Sequence, residues 1–147
     1  MASRRKGRIF AFQALYSWEA AGKGAGLNPA ELPDFSWLED DALARLDSGT
    51  ADFSRLLVRG TIENIKAVDA MIRRHLKNWA FSRINRVDLA LLRMSAYTLM
   101  YQNDVPPSIV IDEAVDISKE FGTDDSFRFV NGVLDSIRKT LETEAGP

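Results

Sequence analysis

The side chains that could perform catalysis are few and are poorly arranged for it. The one histidine, His75, stands among Arg73, Arg74 and Lys77 late in a predicted helix. A serine–histidine triad needs its histidine opposite a serine in a pocket, and nothing in the spacing indicates that arrangement. A surface histidine near a helix C-terminus, where the helix dipole favours positive charge, is the simpler interpretation. The sequence has no cysteine, which excludes disulfides, zinc thiolate sites and thiol nucleophiles.

Acidic pairs and a glycine-rich segment are the other candidates for chemistry. Asp112-Glu113 and Asp124-Asp125 could act as acid–base pairs. However, adjacent residues on a helix point about 100° apart, and aspartates ahead of a helix usually cap it. Residues 22–26 read Gly-Lys-Gly-Ala-Gly. A phosphate-binding loop follows a strand and opens a helix, whereas this segment follows a predicted helix and leads to prolines. These patterns favour a binding protein over an enzyme.

A basic cluster at the start of the chain is the clearest candidate for ligand binding. Guanidinium groups suit phosphates because each presents a rigid fork of donors to two oxygens. Since the formal net charge is −2, a site for polyanions must be a local patch. The cluster leads directly into a strongly apolar helix, so we expect its charges to be held in place, with a frayed, solvated terminus as the alternative. It comprises Arg4, Arg5, Lys6 and Arg8, with no acidic residue before Glu19.

Charge and aromatic residues elsewhere fit the same interpretation. Residues 31–52 carry seven carboxylates and one arginine. This charge asymmetry indicates one region that faces RNA and one that repels it, with an acidic surface helix that serves solubility alone as the alternative. Phe127, Arg128 and Phe129 lie together near the start of the last predicted helix, where aromatic rings and a guanidinium could bind single-stranded RNA. Phe127 is expected in the core. Phe129 is expected near the edge of the inward stripe that begins at Val130, where core packing and base stacking both remain open.

Apolar residues recur at helical spacing along most of the chain, and no segment alternates as a strand does. Apolar residues make up 46% of the 147, enough to form a core. We therefore predict an all-α fold of six or seven helices, with a loop at 22–35 and a break at 78–85. The predicted helices cover about 3–21, 36–46, 50–76 and 86–102, then a helix beyond Pro107 closed by Gly122 at its C′ position, and a last helix after 123–125.

No targeting signal is expected in the sequence. The basic N-terminus is not followed by a smooth apolar region, because Gln13 and Glu19 interrupt it. No apolar run approaches the length needed to cross a bilayer. A cytoplasmic protein is therefore expected.

Four sequence blocks, in the expected order, resemble the NusB family of transcription antitermination factors. The resemblance covers most of the chain, but residues 22–52 do not contribute to it. The blocks are residues 8–16 (RIFAFQALY), 87–97 (VDLALLRMSAY), 104–106 with 111–115 (DVP and IDEAV), and 125–126 with 129–135 (DS and FVNGVLD).

The resemblance implies a fold, an activity and partners. The fold would be one domain of two packed helical subdomains, about 1–78 and 79–147. The protein would bind the boxA sequence of nascent RNA together with the ribosomal protein NusE. It would join RNA polymerase with NusA and NusG, and it would carry no cofactor and catalyse no reaction.

The resemblance also implies which residues bind. The protein partner would contact Tyr16 and Asp88, although Tyr16 also continues an apolar stripe and could be mostly core. Departures at Leu89, Thr98 and Asp112, where the family usually has arginine, glutamate and asparagine, affect the contact details. The RNA-binding residues would be Arg4, Arg5, Lys6, Arg8, Asp125, Arg128 and Phe129.

Two alternatives remain open from the sequence. NusB-like domains also occur fused to RNA cytosine methyltransferases, but the chain ends at Pro147 without a predicted α/β domain for the cofactor. The second alternative is a structural helical protein that self-associates. A homodimer that buried the basic helix would compete with RNA.

Overall fold

The computed structural model describes residues 4–20, 47–77 and 79–144, and within them every regular element is helical. The predicted all-α class is therefore confirmed. The predicted loop at 22–35 and the predicted helix at 36–46 lie outside the described residues. The helices are α1 (Arg4–Ala20), α2 (Ser48–Glu63), α3 (Ile65–Arg74), α4 (Arg86–Tyr101), α5 (Pro107–Phe121) and α6 (Ser126–Glu144), with a short 3-10 helix at Phe81–Arg83.

The segment predicted as one helix from 50 to 76 is two helices, which corrects that prediction. The break falls at Asn64, whose backbone N–H and side-chain Nδ2 both donate to the carbonyl of Gly60, at 3.1 and 2.8 Å. A side chain that hydrogen-bonds to the backbone in this way competes with the backbone hydrogen bonds of the helix. The first of the two helices is also capped one turn earlier than predicted, because Asp47 Oδ1 accepts from the N–H of Thr50 at 2.8 Å.

Two hydrophobic clusters form the core, and α4 contributes to both of them. The first cluster lies between α1, α2 and α4, with Ile65 of α3 and Ile117 of α5 packed into it. The second lies between α3, α4, α5 and α6. Ala90, Leu91 and Met94 of α4 face the first cluster. Leu89, Leu92 and Ala96 face the second. A helix that is apolar on two sides packs at the centre of the fold, and α4 does so.

The turn between α5 and α6 aligns the start of the last helix. Gly122 is the C-cap residue of α5, and its N–H donates to Ser118 O at 2.8 Å. The sequence predicts Gly122 at the C′ position, whereas the structure has it at the C-cap, with a φ of −95°. A glycine still suits the site, because a Cβ there would lie 2.7 Å from both Ser118 O and Ser126 Cβ. The close approach thus brings the start of α6 against the end of α5.

None of the helices in the three described ranges combines the length and the apolar character that a membrane span requires.

Candidate nucleic-acid interface

The basic cluster occupies the first two turns of α1, where its four side chains have different surroundings. Arg4, Arg5 and Lys6 are exposed, whereas Arg8 is buried. The guanidinium carbon of Arg4 lies 4.3 Å from the centre of the Phe53 ring, and that of Arg8 lies 5.5 Å from it. Gly7 permits this arrangement, because a Cβ there would lie 2.6 Å from the Phe53 ring. Arg4 and Arg8 are thus held on α2 by cation–π contacts.

Arg5 faces carboxylates on α5. Its guanidinium lies 3.4 Å from Glu120, 3.6 Å from Glu113 and 3.9 Å from Asp116. All four side chains retain solvent exposure, so each pair contributes little to stability. The pairs do fix where the arginine lies. An RNA phosphate that bound Arg5 would have to compete with these carboxylates.

The environment of Arg8 differs from that of an open phosphate site. Burial lowers the pKa of its guanidinium, the charge of Arg4 acts in the same direction, and Glu113 opposes them. The sequence grouped Arg8 with the exposed cations because it lies close to them along the chain. The structure instead gives it a position beneath the cluster.

A cleft of about 470 Å³ lies between the N-terminal ends of α4 and α6. It brings together three residues that the resemblance assigned to RNA, namely Asp125, Arg128 and Phe129, with Asp88, which the resemblance assigned to the protein partner. Helix N-termini attract anions, and two arginines flank this cleft. The lining comprises Trp79, Arg83, Ile84, Asn85, Asp88, Thr123, Asp125, Ser126, Arg128 and Phe129.

One wall of the cleft is a pair of aromatic rings. The ring centres of Trp79 and Phe129 are 5.8 Å apart and the planes are tilted by 46°. Trp79 is 50% exposed, and Phe129 is half-buried against the second cluster. Phe129 is thus at the edge of the core, where its sequence position placed it. Its neighbour Phe127, which the sequence predicts in the core, is only half-buried. Its ring lies against the cations of Lys119 and Arg128, at 5.3 and 5.4 Å.

Asp88 lies in the cleft wall rather than on an open surface. Only 5% of the residue is exposed. Its N–H donates to Asn85 Oδ1 at 2.9 Å, and Asn85 Nδ2 donates back to Asp88 Oδ2 at 3.0 Å. Burial raises the pKa of the Asp88 carboxyl, while Ser126 and Asn85 act in the opposite direction. The second carboxylate oxygen, Oδ1, is buried as well.

The remaining predicted site residues lie at the surface. Tyr16 is 37% exposed on α1, so its ring is available to a partner despite continuing the apolar stripe. Asp125 is exposed, and its backbone carbonyl accepts from the N–H groups of Arg128 and Phe129 at 3.2 and 3.3 Å.

Sequence reasoning missed Trp79, Arg83 and Asn85 as residues of this cleft. Trp79 and Arg83 fall in the predicted break, where no helical periodicity assigns a side chain to the core or the surface. The signal that could have found Trp79 was the presence of a large aromatic residue in a segment that connects two helices.

His75 and the acidic residues form neither a metal cluster nor a catalytic dyad within the ranges that the structure describes. His75 Nδ1 lies 2.9 Å from Met71 O, and Nε2 lies 2.7 Å from Thr140 Oγ1. The histidine is half-buried, not at the open surface that was predicted. Across the described ranges, no three residues among His, Asp and Glu are grouped so that they could hold a metal ion.

Comparison with known proteins identifies one family. Residues 5–139 match the family model described as the NusB family. A Treponema pallidum protein named transcription antitermination protein NusB is 51% identical over 138 residues, which cover 93% of each chain.

Solved structures of the same name have the same fold. NusB of T. maritima superimposes with a TM-score of 0.80 at 33% identity, covering 95% of this chain and 93% of that one. A crystal structure of the antitermination factors NusB and NusE in complex with dsRNA superimposes with a TM-score of 0.76 at 28% identity, covering 93% and 96%.

Proposed function

Because this chain belongs to the NusB family, we propose that it is a transcription antitermination factor that binds boxA RNA together with the ribosomal protein NusE. In this role it is a cytoplasmic adaptor that holds RNA and a protein against each other and carries out no catalytic step. It would join RNA polymerase with NusA and NusG.

The observation that carries the RNA-binding proposal is that the basic cluster and the cleft meet at the end of α5. Arg5 of the cluster contacts Glu120, and Thr123, three residues further along, lines the cleft. Lys119, next to Glu120, and Arg128, which lines the cleft, both lie over the Phe127 ring. Single-stranded RNA is bound by cations that contact its phosphates and by aromatic rings that stack on its bases, and this surface has both.

The protein-binding proposal is supported by the solved complex that contains a NusB, a NusE and dsRNA. Tyr16 is our candidate contact with NusE, because an exposed tyrosine supplies a rigid apolar ring with a polar tip. Asp88 is our second candidate from the family resemblance. Since Asp88 is buried, a partner would reach it only through the cleft.

A titration of boxA RNA against a scrambled RNA of equal length tests this function, with and without NusE. We expect boxA to bind more tightly than the scrambled strand and NusE to tighten boxA binding. The logarithm of the association constant should fall linearly with the logarithm of salt concentration. Equal affinity for both strands, in the presence and absence of NusE, would overturn the proposal.

A further inference from the structure

We propose that Lys66, Arg73 and Lys77 bind phosphates of the RNA that flanks boxA. These three residues, which we call the α3 basic face, lie on α3 or just beyond its end, separate from the cluster on α1 and outside the lining of the cleft. This inference rests on the proposed RNA-binding function and extends it from the boxA element to the strand beside it.

The first support is the distribution of charge between Glu63 and Asp104. The carboxylates within this stretch of sequence are Asp69 and Asp88, and they are buried, with 1% and 5% exposed. The arginine that pairs with Asp69, Arg93, is buried with it. The surface of the stretch is therefore cationic, although the whole chain has a formal net charge of −2. Its exposed lysines and arginines are Lys66, Arg73, Arg74, Lys77, Arg83 and Arg86.

The carboxylates of α6, the helix that contacts the end of α3, are already paired. Glu144 lies 2.7 Å from Arg74. Asp135 and Glu142 lie 2.7 and 3.0 Å from Arg138. Within the described ranges, none of these carboxylates pairs with a residue of the α3 basic face, so its cations are available to phosphates.

The second support is the way in which Arg73 is held. Its guanidinium carbon lies 4.2 Å from the centre of the Phe81 ring, and Phe81 packs against the second cluster. A guanidinium that stacks on a ring by its face keeps its N–H edge for two phosphate oxygens. The cation is therefore fixed on the fold, and binding a phosphate costs it little conformational freedom.

Lys66 lies on the same side of α3 as Arg73. The separation from 66 to 73 is close to two helical turns, which places the two Cα atoms roughly 10 Å apart along the axis. Ala70 lies between them on this side and is exposed, so no large side chain separates the two cations. Lys77 follows the end of α3 and is exposed as well. A row of exposed cations suits a chain of phosphates and reads no base sequence.

The third support is that this face is continuous with the proposed RNA site. Phe81, which lies under Arg73, begins the short 3-10 helix that ends at Arg83. Arg83 lines the cleft together with Arg128 and Phe129, two of the candidate RNA contacts. A strand that left the cleft past Arg83 would therefore meet Arg73 next. Continuity and charge together favour RNA as the occupant over a separate acidic protein.

Titration with two RNAs tests the inference, one with boxA alone and one with boxA between single-stranded flanks of mixed sequence. The wild-type protein should bind the flanked RNA more tightly. Each phosphate neutralised on a single strand contributes about 0.7 to the slope of the logarithm of the association constant against the logarithm of salt concentration. Three contacts should therefore make this slope steeper by about 2 for the flanked RNA. Lys66→Gln with Arg73→Gln should reduce the added slope to below about 1 and leave the affinity for boxA alone nearly unchanged.

Arg55→Gln with Arg59→Gln is the charge-matched control, because it also removes two positive charges, in this case from α2. It should keep the difference in affinity between the two RNAs. Arg73→Lys retains the charge without the planar guanidinium, so it should keep part of the flank effect. Circular dichroism and urea unfolding of each variant separate a loss of RNA contacts from a loss of fold.

Equal affinity of the wild-type protein for the two RNAs would overturn the inference and leave the proposed function standing, provided that boxA is still preferred over a scrambled strand. Equal losses of the flank effect in the α3 variant and the α2 control would also overturn it, because overall charge would then explain the effect. If the α3 variant loses NusE binding and keeps the flank effect, this face binds protein and the RNA role is rejected. A wild-type protein that does not distinguish boxA from a scrambled strand fails the proposed function itself.

Discussion

Arg93 and Asp69 form a bidentate ion pair in the core, with Nε and Nη2 of the arginine each 2.9 Å from a carboxylate oxygen. Both side chains are 1% exposed. Glu19 of α1 adds a third charge, 3.3 Å from Nη1 of the arginine. The ion pair links α3 to α4, and the glutamate extends the link to α1.

Replacing Asp69 by alanine should lower the free energy of unfolding by about 3–5 kcal/mol, because it leaves a buried guanidinium without its main partner. Urea unfolding measures the loss. Glu144→Ala is the control, because Glu144 pairs with Arg74 at 2.7 Å where both side chains are about half exposed, and we expect a loss below about 1 kcal/mol. Equal losses of unfolding free energy in the two variants would show that the buried pair contributes no more to stability than the exposed pair.

Gly60 and Gly132 should respond oppositely to alanine. A Cβ at Gly60 would lie 2.8 Å from Cε1 of Tyr97 and closer still to its Cζ and Oη, so Gly60→Ala should destabilise the fold by about 1–3 kcal/mol. A Cβ at Gly132 meets nothing within 4 Å on exposed α6, so Gly132→Ala should stabilise it by about 0.5–1 kcal/mol. Thermal unfolding of both variants checks the signs, and a shift in the same direction would contradict the packing described here.

The carboxylates around Arg5 should restrain RNA binding. The triple variant Glu113→Gln, Asp116→Asn and Glu120→Gln removes three negative charges and leaves Arg5 to the phosphates. We expect tighter boxA binding and a steeper dependence on salt. The matched variant Arg5→Ala should weaken binding and reduce the salt slope. If neither variant changes RNA affinity at matched salt, Arg5 is not at the RNA surface.

Replacing the whole basic cluster by alanine, the test that the sequence suggests, would mix two effects. Arg8 is buried, so its loss disturbs packing as well as charge. Arg4→Ala combined with Lys6→Ala is the cleaner test. We expect weaker boxA binding with helicity unchanged, as measured by RNA titration and circular dichroism. Unchanged RNA affinity at matched salt would reject a phosphate role for these two residues.

Asp88 should make stability depend on pH in a defined direction. Because burial raises its pKa in the folded protein, the folded state holds the proton more tightly than the unfolded chain does. The associated stability is fully present below the ordinary aspartate pKa of about 4, and it is lost as the pH rises through the raised value. Asp88→Asn should therefore gain stability relative to the wild type across that rise, as followed by unfolding at several pH values. A constant difference from acid to neutral pH would contradict the raised pKa.

Sequence periodicity predicted well the elements that are positioned by burial of their own apolar residues. The central place of α4 followed from its two apolar sides, and the edge position of Phe129 followed from its angle to Val130. The break at Asn64 could not be predicted from periodicity, because the apolar stripe continues across it and only a side-chain hydrogen bond interrupts the helix.

The surroundings of the charged residues could not be predicted from spacing. The carboxylates that face Arg5 lie more than 100 residues away along the chain, and Glu120 is 115 residues from it. Asp69 pairs with Arg93 from another helix. Such pairs depend on how helices pack, which a single sequence does not encode locally. The division into subdomains near residue 78 remains a prediction. Val68 and Ile72 of α3, which that division assigns to the first subdomain, pack in the second cluster.

The position of α4 has a consequence for attempts to divide the protein. A fragment covering residues 1–78 would lose Ala90, Leu91 and Met94, which complete its core, and a fragment covering 79–147 would expose those same side chains to water. Neither fragment could bury its apolar surface alone, so the two fragments should be recovered as folded protein only when they are expressed together. A cut near residue 78 severs the chain without separating two cores.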